Sequence, residues 1–494
     1  MTVEIEEVET PGEPSGEPEA ESEQAPKTVA HPSDAQRAQS GKAARERAPR
    51  AGHSALDKDA IRDPIGWLEE QAPSRVPELV PIRYGRMLVS PFAFYRGAAN
   101  IMAHDLAPLP RTGLTVQLCG DTHLSNFGGF ASPERAMIFD LNDFDETLPG
   151  PFEWDLKRLA ASFEIAARDR GFASADRRAA VLGVARAYRE AMREFATMDN
   201  LAVWYSRISA EDIQALLRNA QEQKQAKAFQ RGIAKARTKD RMKAFSKLTR
   251  DVDGEPKFVS DPPLIVPIED LARTEGLEQD FVVSAVMDTY RSYRRSLQPD
   301  RRVLLERFRY ADLARKVVGV GSVGTRAWVM LLLGSDDGDP LFIQVKEAQA
   351  SVLEPHLGRS RYRNHGQRVV EGQRLMQAAS DIFLGWTRAK QTFEGTGTRD
   401  FYGRQLWDWK ASLDIETVAL RGLQLYAGLC GWTLARAHAR SGDRIAIASY
   451  LGKTDVFDRA LADFSEAYAD LNERDYNALT KAVRDGRITA REGL

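Results

Sequence analysis

The sequence predicts an α+β chain built as two lobes, one largely helical and one a small antiparallel sheet. Three observations carry this. Two apolar β-type runs, 116–128 and 137–145, each end abruptly in polar and acidic residues, which is how a sheet delivers carboxylates to a cleft. A glycine-spaced stretch at 319–324 leads into β-branched and aromatic residues, then into a second apolar run ending at Lys346. That is the pattern of a strand–loop–strand hairpin. Segments with helical apolar spacing, among them 152–168, most of 174–300 and 417–440, supply the rest.

At 494 residues the chain can bury a large core and should contain two or more domain-sized units. A net charge of −2 provides no global attraction for nucleic acid or membrane. Cys119 and Cys430 lie far apart, which offers no disulfide framework and fits a reducing cytosol. No stretch approaches the ~20 apolar residues that span a bilayer, and the N-terminus lacks the basic-then-apolar order of a signal peptide. A cytoplasmic protein is the expectation. Residues 1–55 read as a disordered tail: nine Glu with no Lys or Arg up to Gln24, then a basic, Ala-rich run to Arg50. A large lobe at 56–300, a small lobe at 301–410 and a helical return at 411–494 complete the expected division. Within 219–250, ten Lys and Arg face two acids. Few aromatics interleave for base stacking, so a solvated helical face is the reading and nucleic acid is not an expected partner.

The chemistry lies in the spacing. Asp121 and Asn126 are five residues apart, and Asp140 follows fourteen later. Phosphoryl transfer asks for an aspartate near the nucleophile, an Asn for a metal ion, and a second Asp on the metal that bridges the phosphates. Asp121, Asn126 and Asp140 fit these roles in order, with Asn126 and Asp140 as the metal ligands. Gly319, Gly321 and Gly324 make a G-x-G-x-x-G. A dinucleotide loop would open into a helix; here a strand follows, which is the shape of a kinase glycine-rich loop. Gly319, Gly321, Ser322 and Gly324 are therefore expected to bind nucleotide, and Lys346, one hairpin later, to pair with its phosphates. A helix near 366–379 offers Glu371 to hold Lys346, with Glu354 as the second choice. Phe401 to Leu406 reads as the strand into an interlobe hinge and Trp407 to Lys410 as its exit. Arg96 is read as a salt-bridge former, and His123 as a packing residue of its loop.

The segments Ser90-Pro-Phe-Ala-Phe-Tyr-Arg-Gly97, Cys119-Gly-Asp-Thr-His-Leu-Ser-Asn-Phe-Gly128, Phe139-Asp-Leu-Asn-Asp-Phe-Asp-Glu-Thr147 and Phe152-Glu-Trp-Asp-Leu-Lys-Arg-Leu159 resemble the bacterial family catalogued as domain of unknown function 2252. The resemblance runs from about Asp63 to near the C-terminus. It implies the protein-kinase-like superfamily, near aminoglycoside and choline phosphotransferases, and with it ATP and Mg²⁺. It names no acceptor. It also implies that Asp155 orients the catalytic loop, as the acid of the Asp-Leu-Ala segment does in those enzymes, while ordinary N-capping by an acid in the first helical turn is the alternative account. The glycine loop and lysine follow the catalytic loop here, whereas ordinary kinases place them first, so a circular permutation is expected. Nucleotidyl transfer and a pseudokinase are alternatives on the same fold. A dinuclear metal hydrolase built from Asp121, His123, Asp140, Asp143 and Asp145 is the alternative from another class.

Overall fold

The computed structural model describes residues 31–57, 61–219, 221–238, 240–317, 319–335, 338–389, 397–406 and 409–493. Helices dominate, and the strands form separate antiparallel sheets. At the centre of the larger body runs the helix Phe152–Asp169, buried from Phe152 through Ala167. Glu153 and Asp155 in its first turn suit the positive end of the helix dipole. Gly171, at φ +70°, closes it: its N–H reaches the Arg168 carbonyl and that of Phe172 reaches Ala167, a Schellman ending. The helices Ser174–Phe195, Leu420–Ser441 and Val456–Arg484 pack around it through Leu159, Phe163, Val184, Leu434 and Phe464.

The second body is a six-stranded antiparallel sheet in the order Gly385–Ala389, Arg399–Gln405, Pro340–Ala348, Ala327–Leu333, Arg309–Lys316, Ile265–Pro267. Alternation sorts its side chains: Met330, Leu332 and Ile343 enter one core, and Val329, Leu331 and Phe342 the other. Both faces are covered by residues before 301. Tyr290, Tyr293 and Leu297 lie on the first face, Ala244, Leu248 and Phe258 on the second. The expected boundary at 300 is thus too late, because a sheet apolar on both faces needs the preceding helices as cover.

The expected tail also needs correction. Residues 1–30 lie outside the described residues, but Asp34–Arg47 is a helix with a Ser33/Gln36 capping box. It docks on the helix Arg444–Leu451 through small residues. A Cβ on Gly41 would stand 2.0 Å from the Ala446 carbonyl oxygen, and Ala44 is fully buried. Arg45 and Arg50 donate to the carbonyls of Tyr450 and Leu451 at 2.9 and 2.7 Å. Low apolarity suggested disorder; close packing of small residues with arginine-capped carbonyls replaces a large apolar face.

Elsewhere the elements follow the expected patterns. Asp253 and Gly254, both at positive φ, make the turn between strands Thr249–Val252 and Glu255–Phe258. The basic run falls on the helices Gln223–Arg237 and Arg241–Leu248, and its described Lys and Arg residues are exposed, with Lys239 outside the described residues. Among the described residues no helix is long and apolar enough to cross a membrane.

Candidate functional site

Two short pairs of strands deliver the chemical residues. Thr115–Leu118 pairs with Leu148–Pro151, and Phe127–Ala131 with Met137–Leu141. The loops joining them, 119–126 and 142–147, therefore emerge side by side and are knitted together. Asn142 N–H donates to the Asn126 carbonyl at 2.8 Å, and Thr147 Oγ1 to Leu118 at 2.6 Å. Gly120, at φ +87°, passes so near Glu146 that a Cβ would lie 2.3 Å from its carbonyl oxygen.

Asp155 holds the first loop from below. Its carboxylate accepts the N–H groups of Cys119 and Gly120 at 2.7 and 2.9 Å, and His438 Nε2, itself in contact with Tyr188 through Nδ1, stands 3.3 Å away. The carboxylate thereby fixes the backbone of the loop that carries Asp121. Asp121 Oδ1 receives both Nε and Nη2 of the buried Arg158, at 2.9 and 2.7 Å, while Oδ2 faces His123 at 3.8 Å. Burial raises the Asp121 carboxyl and Arg158 opposes the rise. Asn126 donates its amide N–H to the Asp121 carbonyl at 2.6 Å, which leaves the amide oxygen for the cleft. His123 lines the same cleft. Burial, with Arg96 and Arg158 nearby, holds its imidazole well below the usual range, so it is neutral at pH 7.

Asp140 does not reach the cleft. Every residue of its strand is buried, and its carboxylate is fully enclosed. It accepts the Ala378 N–H at 2.8 Å and pairs with the buried guanidinium of Arg436 on Leu420–Ser441. The strand runs one residue past Asp140, and a crossing helix brings a cation that needs a counter-charge. Asp143 and Asp145 take half-buried positions at the cleft instead. Lys346 Nζ lies 2.7 Å from Asp145 Oδ2 and 3.5 Å from Asp143 Oδ2. Tyr402 donates its hydroxyl to the other Asp145 oxygen at 2.5 Å. Burial opposes the charges of this cluster, yet Lys346 and Arg404 outweigh it and push Asp143 down to about 2. The two carboxylates correspondingly hold the lysine above its ordinary value against the same burial.

Glu371 does not hold Lys346. It pairs with Arg374 at 3.1 Å on its own helix, His365–Met376, and Glu354 lies 4.0 Å from His365. What that helix contributes is positive: Arg368 donates to the carbonyls of Thr147, Asp145 and Gln349 at 2.7, 2.8 and 2.8 Å. The acidic loop supplies its own carboxylates, so the helix supplies a donor that fixes the loop's backbone. Sequence reasoning missed Asp143 and Asp145 as the carboxylates that meet Lys346; they flank the buried Phe144.

The glycine-rich segment is the loop between strands Arg309–Lys316 and Ala327–Leu333. Gly319 and Gly324 have φ of +72° and +90°, and Gly321 lies against the backbone of Arg96. Arg75 and Arg86 anchor the loop by donating to the carbonyls of Gly321 and Gly319 at 2.9 and 2.6 Å. Arg96 ends the short helix Pro91–Arg96, and after Gly97 the chain enters a second helix, Ala99–Leu106. It forms none of the ion pairs found among the described residues. Two chambers meet here. The larger, about 640 Å³, contains Asp121, His123, Asp145 and Gly321. The smaller, about 320 Å³, contains Lys346, Gln344, Arg404 and Leu406. Arg96, Asn126, Asp143, Gly319 and Ser322 border both. Leu406, at the expected hinge, donates to Phe342 at 2.9 Å, and Ala411 then bridges to Gly129; Trp407 and Asp408 lie outside the described residues.

Glu146, at the cleft wall, offers a pH test. Burial raises its carboxyl from 4.5 to about 7, with Arg368 opposing. A carboxyl raised by folding contributes stability that is complete below pH about 4.5 and is lost as the pH rises through about 7. Urea unfolding of Glu146→Gln across that window is expected to lack the loss. An unchanged pH slope would assign the titration to another group.

Residues 75–482 match the family described as uncharacterized protein conserved in bacteria (DUF2252). The chain belongs to this family. Every cleft residue named above from Arg75 to Leu406 lies inside the DUF2252 match. No curated protein and no solved structure matches the chain.

Proposed function

We propose that this DUF2252 chain is an ATP- and Mg²⁺-dependent phosphotransferase of protein-kinase-like, circularly permuted construction, acting on a hydroxyl acceptor. One observation carries the reading. Asp121, Asn126, Asp143 and the glycine-rich loop border one cleft, with Lys346 against Asp143, although about two hundred residues separate the two sets. In this reading Asp143 replaces Asp140 as the metal aspartate, and Asp145 replaces Glu371 as the partner of Lys346.

The residues suit the groups they would hold. Mg²⁺ takes one or two carboxylates together with substrate phosphates, and Asn126 and Asp143 both line the shared border of the chambers. When bound there, Mg²⁺ neutralises charge on the β- and γ-phosphates. The smaller chamber, between Lys346 and Leu406, takes the nucleotide. Asp121 Oδ1 is committed to Arg158, so Oδ2 receives the acceptor hydroxyl's proton. The acceptor oxygen then bonds to the γ-phosphorus, the bond from that phosphorus to the β-bridging oxygen breaks, and ADP leaves. The metal-hydrolase alternative loses one of its ligands, because Asp140 is enclosed with Arg436.

Purified protein incubated with γ- or α-labelled ATP and cell extract tests the proposal. Transfer of the γ label, lost in Lys346→Met, is the expected result. Transfer of the α label instead would mean nucleotidyl transfer, and nucleotide binding with neither label moved would mean a pseudokinase.

A further inference from the structure

The two chambers differ in how their polar groups are matched. Among the described residues, the one buried side-chain atom without a partner in the smaller chamber is Arg96 Nε, which it shares. The larger chamber holds several more. Arg83, 1 % exposed, donates through Nη2 to Gln71 Oε1 and the Gly97 carbonyl at 2.7 and 3.0 Å, while its Nε and Nη1 are buried without partners. It forms no ion pair among the described residues, and the neighbours that bear on its charge are Arg75 and Tyr84. Arg96 Nε is in the same position, at the border with the nucleotide chamber. Asn100, 7 % exposed, donates its N–H to the Trp67 carbonyl at 2.8 Å, which leaves Oδ1 buried and unmatched.

A buried guanidinium without a counter-charge costs several kcal/mol, and buried polar atoms are matched in most native structures. Ordered water would satisfy the hydrogen bonds but leave the Arg83 charge uncompensated, and the half-buried Arg96 has only the Asp121 carboxylate, already paired with Arg158, acting on its charge. Two guanidiniums and an amide oxygen, lining one chamber, are the complement of an oxyanion beside a hydroxyl. We propose that the larger chamber binds a small hydroxyl compound bearing a carboxylate or phosphate, its oxyanion held by Arg83 and Arg96 and a hydroxyl taken by Asn100 Oδ1. As the acceptor of phosphoryl transfer, this compound rests on the phosphotransferase reading; as a ligand, it does not.

Calorimetry on the full chain tests it with glycerol as the neutral probe, glycerate and glycerol 3-phosphate as its carboxylate and phosphate counterparts, and ADP with Mg²⁺ in parallel. At least one anionic probe should bind in clear preference to glycerol, and which one identifies the oxyanion. Arg83→Gln and Arg96→Gln should each weaken it by about tenfold or more, whereas Gln344→Met, a neutral change that touches only the smaller chamber, should not. Arg96 has no ion pair to lose, so its variant serves if Arg83→Gln fails to fold. Equal affinity for the three probes, no binding by any, or unchanged affinity in the arginine variants overturns the proposal. So does anion binding lost in Gln344→Met alone, which would put the probe in the nucleotide chamber. Anion preference intact with no ADP binding would sink the phosphotransferase reading and leave this site standing; ADP binding with no anion preference would do the reverse.

Discussion

Asp121→Asn lowers turnover at least ~10²-fold while ATP affinity stays within a few-fold, because general-base catalysis contributes about 10²–10⁴-fold. The variant keeps the shape of the side chain and an oxygen for Arg158, but it cannot take the acceptor's proton at Oδ2. It also withdraws the negative charge facing Arg158, a buried cation whose other contacts are neutral: the Tyr95 carbonyl at 2.7 Å, the Met102 sulfur at 3.8 Å and the Tyr95 ring. Some loss of stability is therefore expected, and a melting curve must accompany the kinetics. Turnover is then compared well below the variant's midpoint. Single-turnover transfer of γ label, with nucleotide affinity measured by calorimetry, separates the effects. Turnover near wild type in the folded variant would show that another group takes the proton.

Asp140→Ala and Asp143→Ala should fail in opposite ways. Asp140 and Arg436 are both fully buried, and removing one member of a buried pair leaves an uncompensated charge, at about 3–5 kcal/mol. Asp140→Ala should therefore unfold at much lower urea, and the double change Asp140→Ala with Arg436→Met should recover part of the loss. Asp143 is about a third exposed at the cleft, and Lys346 keeps Asp145 when it is gone. Asp143→Ala should fold nearly as well as wild type and lose Mg²⁺-dependent ATP affinity. Loss of metal-dependent binding in a folded Asp140→Ala, with Asp143→Ala unaffected, would restore the assignment that spacing alone suggests.

Sequence by itself determined the parts with local causes. The strand–loop–strand around Gly319 was legible because β-branched residues, not a helix, follow the glycines. Asp121 and Asn126 were legible because a five-residue spacing within one loop fixes their proximity whatever surrounds them. Tertiary structure alone decided which carboxylate meets which cation. Asp140, Asp143 and Asp145 are equivalent as sequence, a run of acids after an apolar strand. They are told apart by Arg436, which crosses beneath the strand from a helix some three hundred residues later, and by Lys346 and Tyr402, which arrive from the sheet. Glu371 failed for the same reason: helical periodicity places it on its helix but cannot say that Arg374 is nearer than Lys346. The helix Asp34–Arg47 was hidden because its stability comes from close contact of Gly41 and Ala44 with a partner helix, not from a large apolar face of its own. Burial and charge pairing are properties of the assembled chain, and here they decide which acid supports the fold and which ones face the cleft.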